Sequence, residues 1–519
     1  MLVLAAVLST MHFEGDVTAD GGDYATVDFP VPAGTKEIRV AHTDGSDAVI
    51  LDWGVWAPEG WRGWGGGLTD DAIVGETQSS RGYVAGTITA GTWQVVVGKA
   101  KLLNGAGHYS IDVTCSDIND SVPIQAKAEW TPVVKSTVKR WYKGDFHVHS
   151  IESGDAHASL QDDIDLATMQ GLDFVNMSDH NTISQHAYIA AQQANWGPLV
   201  LRGAEMTTYS GHANAVGISQ YVDHRLGYNG RTIADVVADV RAQGGIVIVN
   251  HPATDLGDVC IGCAWMHEAD APWDDISAME MLTAGYTLGI QLFTPHVLAL
   301  WDRLEDAGHR IAAVGGSDDH TAGLDETNVG APIGSPCTLV LADELSEAGI
   351  IAGVKARHTI VQLSGPMDPV VDFSVAAPDG TVAGIGDELA PTLTNFHMDI
   401  HVTGGDATIV NVYRDGLKAN AQAIPVSGMD TMLAFDDVPT AGAHRYRVEL
   451  TDGAGARLVI TSHIYIHASG APATDGSSTS SGGGGGCATS SPASPASLLL
   501  ALGFAPLAYR RKRRTTAAK

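Results

Sequence analysis

Between residues 141 and 320 one pattern recurs: a short apolar run of strand-like composition stops at histidine and carboxylate side chains. The first case is Lys143-Gly-Asp-Phe-His147-Val-His149-Ser150, whose histidines stand two apart and therefore share one face of a strand. Ser178-Asp179-His180-Asn181, Glu205 with His212, Asn250-His251-Pro252 and Gly316-Ser317-Asp318-Asp319-His320 end further apolar runs, over 172–177, 199–204, 246–250 and 310–314, with another run at 276–281. Helical periodicity lies between them, at 162–170 before Gly171, at 232–243 and at 295–307. Strand followed by helix, repeated, demands parallel strands, and parallel strands put their C-terminal ends on one side. Closed into a barrel, such a sheet gathers the polar residues on one rim.

On either side the periodicity changes. From Gly15 to Ile118 short alternating segments are punctuated by Gly, Asp and Pro, the pattern of an antiparallel β-sandwich. Trp53, Trp56, Trp61 and Trp64 are interleaved there with glycines and read as core and inter-domain packing, with a carbohydrate platform as the alternative. After Gly365-Pro366 short strands return at 369–375, 398–402, 409–414, 446–451 and 458–465, which reads as a second sandwich. The expected domains are a sandwich at 12–120, a linker at 121–140, the barrel at 141–366 and a sandwich at 367–468.

A chain of 519 residues is too long for one core, which agrees with this division. A formal charge of −30 excludes a nucleic-acid partner, which needs a basic surface. Anionic substrates stay open, because bound cations reverse the local field. The 5 cysteines are too few and irregular for a disulfide scaffold. Cys260-Ile-Gly-Cys263 reads as a disulfide or two loop thiols, and Cys115 and Cys337 as small buried hydrophobes.

Both termini look like processing segments. Residues 1–9 (MLVLAAVLS) resemble the apolar centre of a secretory signal without its basic leader, so 1–11 is set apart as a truncated signal segment. At the other end a Ser/Gly/Pro linker, 469–497, carries Gly482 to Gly486 and Cys487 and runs into an apolar and Arg-rich tail, 498–519. The apolar run is short for a spanning helix, and the basic end suits a cytoplasmic stop. The segment resembles the C-terminal sorting signals of bacterial surface proteins, particularly the myxobacterial type. That implies an exported protein at the cell surface or outer membrane, associated with the membrane through this tail, with Cys487 as a lipidation or processing site.

Most of the 21 histidines, among them His12, His42, His108, His224 and His309, read as hydrogen-bonded surface residues. The set at the strand tips differs in kind: a borderline cation wants nitrogen ligands with carboxylates between them, and burying so many polar side chains around nothing is costly. Two cations on a shared carboxylate would acidify a bridging water and neutralise charge on the attacked centre. Asp318 is then placed to orient the hydroxide, and His320 or His180 to protonate a leaving group. Asp179 is expected behind a ligand histidine, and Glu280 as a supporting, pocket-wall or direct residue. Arg202 and Lys143, near strand ends, are candidate anion binders.

Taken in order, these motifs resemble the polymerase and histidinol phosphatase (PHP) superfamily over about 141–365. The resemblance implies a distorted βα barrel around two or three divalent transition-metal ions (Zn, Mn or Fe), so the expected fold class is multidomain α/β plus all-β, a PHP-type barrel flanked by two β-sandwich domains. More narrowly, Asp52 to Gly67, Gly211-His212-Ala-Asn214 and Gly330-Ala-Pro332 resemble the CehA/McbA metallohydrolase branch, named for carbamate-ester hydrolysis. Carried over by residue, His147, His149, Glu205 and Asp318 would hold one metal and Glu205, His212 and His251 a second, with Glu205 as the bridge. A third ion would use His180 and His320 with either Asp155 or His157. Here the chain departs from the family, with Ser153-Gly154-Asp155 where Ser-Asp-Gly is common. The implied activity is hydrolysis of a small-molecule phosphoester by a metal-bridged hydroxide. The alternatives are a carboxyl-ester or carbamate hydrolase, and a surface binding protein with an inactive barrel.

Overall fold

The computed structural model describes residues 6–44, 48–192, 197–283, 292–323, 331–377, 380–393 and 396–469, which are mostly β-strand with few helices. Contacts divide the chain into Met1–Ala471 and Pro472–Lys519. Cys487, the rest of the expected sorting tail, and Gly330 lie outside the described residues.

Near the N-terminus two four-stranded antiparallel sheets face each other. One orders Val7–Thr18, Ala106–Ser116, Glu37–Thr43 and Ala72–Gly75; the other orders Tyr24–Val31, Gly91–Lys101, Ile50–Ala57 and Gly60–Gly66. Alternate residues such as Phe29, Ile38, Val40, Leu51, Val95, Ile111 and Val113 point between the sheets and form a common core. The first strand starts inside the segment set apart as signal-like: Val7 pairs with Ser116 and Met11 with Val113, so residues 7–11 belong to a sheet here. Trp53, Trp56 and Trp64 are buried, and Trp61 stacks on Tyr221 with ring centroids 4.4 Å apart. Trp53 belongs to the sandwich core, and Trp56, Trp61 and Trp64 pack between the sandwich and the middle of the chain.

The central sheet runs in the order Ala312–Gly316, Ala278–Thr283, Ile246–Val249, Gly211–Val216, Leu199–Thr208, Phe174–Met177, Arg140–Val148. All are mutually parallel except Gly211–Val216, which is antiparallel to both of its neighbours. The exception arises because Leu199–Thr208 turns straight back at Ser210-Gly211 with no room for a crossover helix. Leu160–Met169, His186–Gln192 and Thr294–Asp306 supply parallel crossovers, while Ile233–Ala242 leads from Gly211–Val216 into its antiparallel neighbour; Leu160–Met169 and Ile233–Ala242 open with capping boxes at Ser159/Asp162 and Thr232/Asp235. The first and last strands of this series meet at their tips, where Asp318 N–H donates to His147 O (2.8 Å) and His149 N–H to Asp319 O (2.9 Å). Gly316 permits that approach, since a Cβ there would lie 2.4 Å from the Cβ of His147.

The expected boundary at 366 is not a break. Cys337–Ala342 pairs with Arg140–Val148, Thr359–Gln362 pairs with it in turn, and Ile360 then registers with Thr461. The strands Arg457–Thr461, Gly442–Thr451 and Ile409–Arg414 therefore continue the central sheet. A four-stranded sheet containing Val370–Ala376 and Phe396–Thr403 is the other layer of this region. Val148 and Met177 share one hydrophobic cluster with Phe373, Ile400 and Tyr446. A strand edge left open at Thr359–Gln362 would expose unpaired amides, and the C-terminal strands satisfy them.

Candidate metal centre

Glu205, 1% exposed near the end of Leu199–Thr208, is the hub of the rim. Its Oε1 lies 3.4 Å from His147 Nε2, from His212 Nδ1 and from His251 Nε2. Its Oε2 lies 2.6 Å from His180 Nδ1 and 3.7 Å from His149 Nε2. Asp318 Oδ1 comes within 3.1 Å of His147 Nε2 and 3.0 Å of His149 Nε2, from a residue held at φ 59°. That left-handed conformation, like φ 27° at His251, is costly for a residue with a Cβ and occurs here where the chain must turn its side chain inward. Beside this group, Asp155 Oδ2 is 3.4 Å from His180 Nε2 and 3.5 Å from His320 Nε2.

Charges in the cluster set one another. Burial raises the carboxyls of Glu205 and Asp318, but the surrounding imidazoles outweigh it and hold both well below the usual range. Burial lowers His147 and His180, and the facing carboxylates more than reverse it, so both rise well above an ordinary histidine. His320 is lifted to about 9, chiefly by Asp155 acting against burial. His149 goes the other way, down to about 3, from burial and from His320 and His180 beside it.

Cations fit this donor set. His147 Nε2 and His149 Nε2 are buried close to Asp318 Oδ1 but not aligned with it for a hydrogen bond, an arrangement that costs free energy unless a cation lies between them and the carboxylates. The ligand atoms of His147, His149 and Glu205 lie within 4.8 Å of one another, as do those of His147, His251 and Asp318, and of His149, His180 and His320. Imidazole nitrogens with a minority of carboxylates suit zinc, manganese or iron.

Behind the ligands stand partners that set each ring. Glu280 Oε1 is 2.9 Å from His147 Nδ1, while its Oε2 accepts from His251 N–H (2.8 Å) and from the Thr283 hydroxyl. Ile261 O lies 3.3 Å from His212 Nε2 and Cys263 O 3.1 Å from His251 Nδ1, which reserves the opposite nitrogen of each ring for a ligand role. The Ser153 hydroxyl sits 3.0 Å from His149 Nδ1, and Asn250 Nδ2 donates to Glu205 Oε1 over 2.8 Å. Asp145 accepts from the amides of His147, Ser317 and Gly334 and is raised to about 6 by burial. Sequence reasoning passed over Asp145, Ser153 and Asn250, although Asp145 stands in alternating register with His147 and His149 and Asn250 precedes His251.

Several expected residues take other places. Asp179 holds no histidine; its carboxylate accepts from the amides and hydroxyls of Ser150 and Ser153 and so braces the turn after His149. His157 is exposed and meets the cluster only through its backbone, donating to His320 O, so Asp155 is the residue beside His180 and His320. Arg202 pairs with Glu347 (2.6 Å) and lies over the Trp130 ring, and Lys143 reaches the Pro366 carbonyl; neither is free to bind an anion at the rim. His224, expected at the surface, is fully buried under Tyr221 and Trp64, and His42 stacks on Trp53. Cys260 and Cys263 are bonded to each other, and Cys115 and Cys337 are free and buried.

No protein-family model and no curated protein sequence matches the chain. Among solved structures, a two-domain protein containing a predicted PHP-like metal-dependent phosphoesterase from Bacteroides vulgatus is similar at 17% identity and a TM-score of 0.37, covering 66% of this chain and 100% of that one. An amidohydrolase from Chromobacterium violaceum is similar at 17% identity and a TM-score of 0.27, covering 36% of this chain and 89% of that one. At such scores the likeness carries no weight beside the geometry of the site.

Proposed function

We propose that the chain is a metal-dependent hydrolase of the PHP type, with the central strands as a distorted βα barrel, and that it cleaves a small-molecule phosphoester. One observation carries the reading: the Glu205 carboxylate is shared by His147 and His149, from the end of one strand, and by His180, His212 and His251, from three other segments of the chain. His147, His149, Glu205 and Asp318 would hold one ion, Glu205, His212 and His251 a second, and His180, His320 and Asp155 a third. Bound there, divalent ions supply Lewis acidity, acidifying water and offsetting negative charge that develops on the substrate. Asp318, with its side chain 22% exposed, reaches both the ligands and the opening and orients the attacking water. His320 and His180, 25% and 20% exposed, border the same opening and, where no third ion occupies them, deliver a proton to the departing oxygen. His147 and Glu205 lie beneath them and exclude solvent from the floor.

The choice of a phosphoester rests on charge. Bound divalent ions offset the carboxylates of Glu205, Asp318, Asp155 and Glu280, so a loaded site can accept an anion even in this acidic protein. A carboxyl-ester or carbamate hydrolase of the CehA/McbA kind is the second reading, favoured by the engagement of Arg202 and Lys143 elsewhere. Export and retention at the cell surface through the tail around Cys487 complete the proposal. The test is elemental analysis followed by p-nitrophenyl phosphate, bis(p-nitrophenyl) phosphate, p-nitrophenyl acetate and a naphthyl carbamate under one metal condition. Metal-dependent turnover of only the uncharged esters, lost in Asp318→Asn, sinks the phosphoesterase choice; a protein that takes up no metal and turns over nothing sinks the hydrolase and leaves the binding-protein alternative.

A further inference from the structure

Asp155 sits on the turn Ser150 to Asp155, and that turn is held from the side by the N-terminal sandwich. Glu152, 6% exposed, accepts from the Gly82 amide (3.0 Å) and from the Ser184 hydroxyl (2.7 Å), both on its Oε2. Thr182, two residues past His180, donates its hydroxyl to Gly82 O over 3.0 Å. Gly82 O also accepts from Trp64 N–H (3.0 Å), which ties this contact to the Gly60–Gly66 strand. One backbone segment of the sandwich thus grips the chain on both sides of the metal rim, after His149 and after His180. At Gly154 the fit is tighter still: a Cβ there would lie 2.6 Å from Gly65 O and 3.2 Å from Leu68 Cγ. A backbone carbonyl cannot swing aside as a side chain can, so only glycine is accommodated at 154. The carboxylate of this turn consequently stands one position later, at Asp155, and it is there that it meets His180 and His320.

We propose that the N-terminal sandwich is a built-in wall of the metal centre: its Gly65 and Gly82 backbone clamps the Glu152–Asp155 turn and thereby brings Asp155 to the His180–His320 pair, with Glu152 and Gly154 as positioning residues for one ion. The inference rests on the metal reading above and adds which part of the chain governs that ion. Asp155 itself is 61% exposed, so besides His180 and His320 it is the clamped turn that sets where its carboxylate goes. The sandwich and the hydrolytic region are then one functional unit, and the Ser153-Gly154-Asp155 order follows from their contact.

The experiment titrates the purified, metal-free full-length chain with Co²⁺, following its visible absorption and the stoichiometry by calorimetry. Asp155→Asn identifies the ion that depends on that carboxylate. Glu152→Ala is expected to weaken the same ion about 10- to 100-fold and leave the others unchanged, as loss of an outer partner does. Glu152→Gln is expected to behave as the wild type, because both bonds end on a single oxygen that Gln also offers. Adding Glu152→Ala to Asp155→Asn should cost that ion nothing further. If Glu152→Ala does not fold, Ser184→Ala removes one of the two bonds and should give a smaller loss at the same ion. Wild-type Co²⁺ binding in Glu152→Ala, or an equal loss at every ion, overturns the clamp and spares the metal reading; a wild-type chain that binds no Co²⁺ overturns both.

Discussion

At the scale of single residues the centre depends on one shared carboxylate and one supporting carboxylate. Glu205 faces ring nitrogens on both of its oxygens, so Glu205→Ala should remove the ions of both proposed principal sites together; elemental analysis that finds one retained at full occupancy would reduce Glu205 to a terminal ligand. Glu280 touches no other carboxylate of the cluster, and its two oxygens serve His147 Nδ1 and His251 N–H. In Glu280→Gln one of these must face an N–H₂ group, so metal affinity should fall about 10- to 100-fold while stoichiometry at saturation stays the same. Competition against a chelator of known affinity checks it, and an unchanged affinity would leave Glu280 with a packing role only. The ligand-type residues were visible in the sequence because histidine and carboxylate at the ends of apolar runs are unusual. Ser153 and Asn250 were not, because a hydroxyl or amide carries no such signature until its neighbour in space is known. Arg202 and Lys143 misled for the related reason that nearness to a strand end does not say which way a side chain leaves the sheet.

At the scale of elements, the strand-and-helix alternation from 141 to 316 predicted the parallel series, and hydrophobic periodicity located the helices Ile233–Ala242 and Thr294–Asp306 to within a residue or two. The antiparallel Gly211–Val216 strand was missed as an element because its apolar run is short and its hairpin turn is tight, although His212 on it was singled out. The approach of the Ala312–Gly316 and Arg140–Val148 strand tips depends on Gly316, where a Cβ would meet both His147 Cβ (2.4 Å) and Glu280 Oε1 (2.5 Å). Gly316→Ala should therefore destabilise the metal-free protein by about 1–3 kcal/mol through overpacking. Urea unfolding measures it, and a midpoint shifted by less than the experimental error would mean that the strand tips do not approach so closely in solution.

At the scale of the whole molecule, neither flanking region behaves as an appendage. The C-terminal strands extend the central sheet through the pairing of Ile360 with Thr461, and the N-terminal sandwich buries aromatic rings against Tyr209, Tyr221 and His224. His224 in that contact is pushed down to about 3 by burial, with Arg225 and Arg231 adding to it and Asp223 opposing. Below an ordinary histidine pKa of about 6.5 the unfolded chain binds a proton that the native chain refuses, so this contribution is intact above that pH and is lost as pH falls toward 3, by about 1.4 kcal/mol per pH unit. Urea midpoints between pH 7 and pH 4 should fall more steeply for the wild type than for His224→Gln; parallel slopes would show that His224 accepts a proton without disturbing the contact.

Local chemistry is what the sequence alone determined: the strand and helix periods and the residue types able to hold a cation. These are properties of neighbours along the chain, for which spacing and composition suffice. The tertiary structure alone decided that Asp155 and not His157 stands beside His180 and His320, that Asp179 braces a turn, and that the sheet continues past residue 366. Each of these turns on which backbone lies against which across a large sequence separation, as Gly65 lies against Gly154, and close packing settles that only when the whole core is assembled.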